Sequence, residues 1–183
     1  TTEIYPLSLH CALPIFSQFD RSYLESLQKY AKVLAQRNAL LKSMAEHYLF
    51  DRESIEVWNI KMVEFGNQIF KKRKSFLEEF IPFFQKQYDS IGSAEEEVHL
   101  VYKSQLNDSP FEQLLIDFEK RDAFTRFSNA GTHKDDLVFQ IKGHPVKKFG
   151  SQGQQKSFII ALRLAQYEWL KNHLGVLPVL LLD

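Results

Sequence analysis

Phe149-Gly150-Ser151-Gln152-Gly153-Gln154-Gln155-Lys156-Ser157, then a nearly uncharged run from Phe158 to Leu170, then Val179-Leu180-Leu181-Leu182-Asp183: the fold is decided in this stretch. The first part is a small, polar, glycine-containing loop, and the run after it is helical. A loop of this kind offers backbone N–H groups and a hydroxyl to an anion, with the positive end of the helix dipole behind them. A serine before a helix is also an ordinary N-cap, and that alternative stands beside the anion site. The run ends near Asn172-His173, with Gly175 as its cap and Pro178 beyond. Four apolar residues closing on an aspartate predict a buried strand whose terminal carboxylate, Asp183, holds Mg²⁺ beside nucleotide phosphates, the Walker B pattern.

Upstream of the loop the text has mixed α/β character. Glu97 to Tyr102 alternates as a half-buried strand does, and Glu95-Glu96-Glu97 reads as its exposed start. Ser109-Pro110 opens a helix running toward Arg121. After Gly131 comes a charged loop, Thr132 to Asp136, then a strand from Leu137 to Ile141, a hairpin turn at Gly143-His144 and a return strand near Val146. His133, beside Asp135 and Asp136, is a lone histidine in a turn, a type more often structural than metal-binding.

Before Ser90 the period is helical. Leu24, Leu27, Ala31, Leu34, Leu41, Ala45 and Tyr48 form one stripe from about Ser17. Asp51 caps a second helix whose stripe is Trp58, Met62, Phe65, Ile69, Phe76, Phe80 and Phe83, reaching Tyr88. The short connection near Phe50 folds the two back antiparallel. Pro82 is expected to kink the second helix or end its regular part. Arg37 and Asn38 interrupt the first stripe and read as partly exposed. Trp58 and Trp169 lie on apolar stripes and read as packing residues. The run Lys71-Lys72-Arg73-Lys74 is either a solvated face or a contact to a phosphate backbone.

Composition sets the outer bounds. The 183 residues carry 23 Lys and Arg against 23 Asp and Glu, so no global charge draws the chain to nucleic acid. One cysteine excludes a disulfide framework and a cysteine-based zinc site, and no apolar run is long enough to span a bilayer. A cytoplasmic location and no membrane partner are expected. Sixteen Phe against seven Gly bias the chain toward an aromatic helical core. Residues 1–15, TTEIYPLSLHCALPI, fit no period and resemble a translated sequencing adapter more than a native segment, the alternative being a genuine flexible N-terminus.

SQGQQKS, a helix of about twenty residues and LLLD together resemble the signature-motif and Walker B region of the RecF family, bacterial recombination-mediator ATPases of the ABC/SMC group. Tyr23 to Lys42 and Lys71 to Tyr88 are similar to that family's two long helices, and Gly131 to Phe139 to its re-entry into the head. The family pattern has Pro where Thr132 stands and often Arg where Lys134 stands. The resemblance runs from about Ser17 to Asp183. It implies an α+β chain in which a helical lobe of antiparallel long helices over 16–90, an arm for DNA or a partner, precedes part of an ABC/SMC-type P-loop ATPase head over 91–183.

The resemblance also implies the chemistry. Ser151 and Gly153 match signature positions that meet the γ-phosphate of ATP held by the opposite protomer, with Gln154, Gln155 and Lys156 supporting them. Asp183 matches the Mg²⁺ ligand. The family's P-loop and second acid match nothing in the 183 residues, so the sequence is expected to be an internal fragment, inactive as an ATPase alone. Implied for the parent protein are an ATP-dependent homodimer, binding to double-stranded and gapped or single-stranded DNA through Lys71, Lys72, Arg73 and Lys74, and work with RecR and RecO, and indirectly RecA, in DNA repair, replication restart and the SOS response. Two other readings remain. One is a different SMC head such as a Rad50-type ATPase, which the roughly 70-residue helical excursion disfavours. The other is a non-enzymatic helical binding module in which SQGQQKS is only an N-cap.

Overall fold

The computed structural model describes residues 16–17, 20–47, 50–91 and 96–174. Cys11, the adapter-like residues 1–15, Gly175, the expected strand 179–182 and Asp183 lie outside the described residues.

Among these residues the chain is mostly helical, with one small sheet. Its elements are α1 (Arg21–Glu46), α2 (Arg52–Ile91), β1 (Val98–Lys103), α3 (Phe111–Asp117), α4 (Glu119–Thr125), β2 (Asp136–Ile141), β3 (His144–Pro145), α5 (Val146–Phe149) and α6 (Gln152–Leu174). The described residues form two compact units that do not follow the sequential division at residue 90: one lies within 17–73 and 103–135, the other within 74–102 and 136–174 together with Phe16.

In the first unit α1 and the first half of α2 pack antiparallel. Tyr23 meets Arg73, Ser26 meets Gln68 and Arg37 meets Asn59, while Leu41, Met44 and Ile55 close the far end. Asp20 caps α1 by accepting the Tyr23 N–H, and Asp51 accepts the Ser54 N–H at the start of α2. The buried stripe of α1 is Tyr23, Ser26, Tyr30, Val33, Arg37, Leu41 and Met44, about one residue out of phase with the stripe of aliphatic residues. Leu24 and Ala31 face water instead. The helix turned because four members of its inner face are polar or phenolic and find tertiary partners, which a count of apolar residues ignores.

The second unit holds the aromatic core. Phe76, Phe80, Phe84 and Tyr88 of α2 are buried with Phe139 of β2 and Phe158 and Trp169 of α6. Phe84 and Phe158 lie 5.4 Å apart, Tyr88 and Phe158 4.7 Å, and Phe76 and Trp169 5.1 Å edge to face. Pro82 does not end α2, which runs on to Ile91. Burying Phe80, Phe84 and Tyr88 on either side stabilises the helix by roughly 1.5–3 kcal/mol each, enough to offset the roughly 3 kcal/mol that an interior proline costs.

The sheet has the order β1-β2-β3. The β2–β3 pairs Gln140 with Pro145 and Ile141 with His144, so the tight turn is Lys142-Gly143, one residue earlier than Gly143-His144. Both turn residues have positive φ, 49° and 78°, as a two-residue type I′ hairpin requires. Val146 belongs to the short helix α5 rather than to the return strand, and the helix after Pro110 breaks at Phe118 into α3 and α4.

Candidate functional site

The signature segment is helical from Gln152 onward, so the expected loop 152–157 is the first turn and a half of α6. Ser151 is its N-cap. The Gln154 N–H donates to Ser151 Oγ at 3.2 Å, and the Ser151 N–H donates to Gln154 Oε1 at 2.8 Å. This reciprocal pair is a capping box with glutamine in the third helical position, and it removes two of the helix's unsatisfied donors. Gln155 Nε2 donates to the Gly150 carbonyl at 3.0 Å, fixing the approach to the cap. Ser151, Gly153 and Lys156 are exposed.

This end of α6 fits a phosphate. A Cβ placed on Gly153 would meet only Ser151 Oγ, 3.8 Å away, so the space beside this glycine is open. Ser151 Oγ accepts from Gln154, which leaves its hydroxyl hydrogen to donate outward. A 23-residue helix directs its dipole at the same point. Among the described residues no group of three or more His, Cys, Asp or Glu is placed to hold a metal.

Glu96 joins this end of α6 to α2. Its Oε1 accepts from Gln154 Nε2 at 2.8 Å, and its Oε2 accepts from Tyr88 Oη at 2.7 Å. The Tyr88 and Gln154 hydrogen bonds hold its carboxyl below the ordinary carboxylate range. The expected exposed acidic start of β1 therefore contains a residue engaged on both oxygens. Farther along α6, Glu168 receives Lys86 Nζ at 2.7 Å and also Gln87.

The four-cation run is divided. Arg73 is buried: its Nε donates to Tyr23 Oη at 3.0 Å, and its Nη1 to Asp135 Oδ2 at 2.7 Å and the Thr132 carbonyl at 2.8 Å. Lys72 pairs with Asp20 and Ser22. Only Lys71 and Lys74 of the run are exposed, so Arg73, expected as a DNA contact, instead fixes the Thr132 to Asp135 loop.

Arg37 also departs from its expected exposure. Its side chain is 1% exposed and that of Asp122 0%, with Nη1 2.7 Å from Asp122 Oδ2 and 2.7 Å from Ser128 Oγ, and Nε 2.8 Å from Asn59 Oδ1. Asp122 Oδ1 accepts from the Asn129 backbone N–H and side-chain Nδ2. Asn38 Oδ1 accepts from Ser128 N and Oγ, both at 2.8 Å. His133 is structural: Nε2 donates to the Ser128 carbonyl at 3.1 Å, so Nδ1 accepts from Tyr30 Oη at 2.9 Å. Burial pushes its pKa down, which favours this neutral form. Trp169 is buried in the aromatic core, whereas Trp58 is half-buried with Lys61 over its ring.

No family model matches the chain. Curated relatives do. The chain is 50% identical over 169 residues to the DNA replication and repair protein RecF of Flavobacterium johnsoniae, a match covering 92% of the chain and 47% of that protein. Identity to the same-named protein of Phocaeicola vulgatus is 44% over 170 residues, covering 92% of the chain and 45% of the relative. The chain belongs to the RecF family. It spans about half the length of the curated RecF proteins it matches. A solved structure of the recombination mediator RecF with ATP, from the RecFOR pathway, superposes with a TM-score of 0.84 at 27% identity, covering 92% of the chain and 47% of that RecF chain. The α+β expectation and the RecF resemblance both hold. Glu96 and the Arg37–Asp122 pair are engaged residues whose contacts the sequence patterns did not show. The only signal for Arg37 was a cation set in an apolar stripe.

Proposed function

We propose that this chain supplies the signature half of a composite ATP site in a RecF protein, with Ser151 and Gly153 meeting the γ-phosphate of ATP bound by a second protomer. The exposed capping-box end of α6 carries this reading: an open glycine, an outward hydroxyl and a helix dipole converge on one point. Bound ATP would place its γ-phosphate between two protomers and favour their closure, and hydrolysis followed by departure of the inorganic phosphate would take that anion away. The chain's own contribution is donors held in place before the partner arrives. Gln154 and Gln155 fix the cap, and Lys156 adds a cation one turn along. Differential affinity of this end for the ATP-loaded partner shifts the monomer–dimer equilibrium.

The rest of the RecF role follows as part of the same proposal. Asp183 would hold Mg²⁺ at the end of a Walker B strand. The parent protein would bind gapped DNA in the cytoplasm and act with RecR and RecO to load RecA in repair and replication restart. Support comes from the names of the relatives, which are DNA replication and repair proteins, and from the RecFOR assignment of the solved neighbour. No helix among the described residues is long and apolar enough to cross a membrane. Lys71 and Lys74 are the members of the basic run available to DNA. Weak ATP turnover is proposed for the full-length parent protein, and none for these 183 residues by themselves.

Ser151→Arg in a full-length RecF chain carrying these residues tests the proposal. The arginine fills the open space beside Gly153, and ATP-dependent dimerisation followed by analytical ultracentrifugation should weaken by more than about tenfold, which is 1.4 kcal/mol. A variant that dimerises as the parent does would refute it.

A further inference from the structure

Gln154 is held from both ends. Its Oε1 accepts the Ser151 N–H at 2.8 Å and its Nε2 donates to Glu96 Oε1 at 2.8 Å. If the amide were rotated half a turn, two N–H donors would face each other at Ser151, and Nε2 would be lost to Glu96. The carboxylate of Glu96 therefore selects the one amide orientation that keeps the capping box closed. With the box closed, Ser151 Oγ is occupied as an acceptor and free as a donor, the state a phosphate oxygen needs.

Glu96 is itself anchored. Its other oxygen accepts from Tyr88 Oη at 2.7 Å, and Tyr88 is 1% exposed, with its ring 4.7 Å from Phe158 and 6.1 Å from Phe84. The hydrogen-bonded path thus runs from the last turns of α2, through one carboxylate, to the first turn of α6. We propose that Glu96 is a positioning residue for the nucleotide signature, holding Ser151 in its donating orientation and making that orientation depend on the end of the long helix α2. This inference rests on the signature reading of Ser151 and adds to it a coupling residue outside the motif.

The test uses a full-length RecF chain carrying these residues and reads two quantities. One is the dissociation constant of the ATP-dependent dimer; the other is the affinity of dilute, monomeric protomers for a fluorescent ATP analogue. Glu96→Ala should weaken the dimer by about tenfold, since it removes a charge-assisted hydrogen bond from the cap. Affinity for the analogue should stay within about twofold, because the residues that grip nucleotide in the same protomer are elsewhere. Glu96→Gln retains an acceptor for Gln154 Nε2 and should restore most of the dimer affinity. Gln154→Ala should reproduce the defect, and Glu96→Ala should add little on top of it. That pair also serves if Glu96→Ala alone lowers the yield of folded protein.

Three results would overturn the inference. One is a dimer constant unchanged in Glu96→Ala while Ser151→Arg abolishes dimerisation, which leaves the signature reading intact. Another is equal loss of dimerisation and protomer nucleotide binding without rescue by Glu96→Gln, the mark of a merely structural residue. Ser151→Arg without effect would remove the signature reading itself and this inference with it.

Discussion

Replacing Arg37 with alanine leaves Asp122 buried with its Asn129 contacts but without a countercharge. Two hydrogen bonds from Arg37 Nη1 and one from Nε vanish with the guanidinium, and Asn59 and Ser128 lose a donor each. Removing one member of a buried pair costs about 3–5 kcal/mol, mostly through the charge left behind. Local opening reads this directly. Hydrogen exchange by mass spectrometry of a full-length RecF chain carrying these residues should show protection over α1 and α4 falling by about two to three and a half orders of magnitude. The double substitution Arg37→Met with Asp122→Asn removes both charges, nearly keeps volume and leaves an acceptor for Asn129, so it should cost less than about half as much as Arg37→Ala. Loss of less than tenfold in protection for Arg37→Ala, or a double variant worse than the single, would refute the assignment of this pair as the unit's buried electrostatic tie.

Gly131 has φ +126°, and a Cβ there would lie 2.5 Å from Tyr30 Oη and 2.6 Å from Phe111 Cζ, both on buried rings. Gly131→Ala should destabilise by at least about 2 kcal/mol in chemical denaturation, whereas Gly143→Ala, with φ +78° and open space, should cost only about 1 kcal/mol; equal effects would sink the packing argument. Acid should act in two steps. Burial holds the His133 pKa below its ordinary value, so the native state favours the neutral ring: that stability is complete above about pH 6.5 and is lost as pH falls below it. An NMR titration showing His133 protonating at or above its ordinary pKa would contradict this. For Asp20, partial burial works upward but is outweighed by Lys72, Ser22 and the Tyr23 N–H, which bring it down to about 2. Its contribution is present above about pH 4 and disappears between there and about pH 2, so Asp20→Asn should flatten the denaturation profile in that window.

The sequence carried the parts of the fold that depend on local period and turn chemistry. The two long helices, the strand at Leu137 to Ile141, the hairpin and the helix over Phe158 to Leu170 all follow from spacing, caps and glycine placement. The phase of α1 did not, because Arg37 and the tyrosines are buried only by virtue of partners far along the chain. Ser128 lies 91 residues from Arg37, and nothing near either residue announces the pair. Pro82 was misleading for a related reason: a local rule weighed a missing N–H, while the outcome turned on aromatic burial supplied by β2 and α6. At the candidate site the motif located Ser151 and Gly153 but not their geometry. A glycine-rich string reads as loop by composition, and only the Ser151–Gln154 exchange of hydrogen bonds shows it to be the opening of a helix. Glu96 escaped notice because a run of three acids looks like solvent-facing surface whichever member is engaged.

The 85-residue separation of Arg37 and Asp122 also sets a timetable for synthesis. At roughly 5–20 residues per second, Arg37 leaves the ribosome about 4–17 s before the carboxylate that neutralises it. During that interval α1 and the start of α2 are already complete in sequence, yet their shared face holds a cation that water must solvate. On a nascent α1–α2 hairpin Arg37 therefore stays solvated with Asn59 as its near partner, and its burial waits for residues 103–135 to emerge.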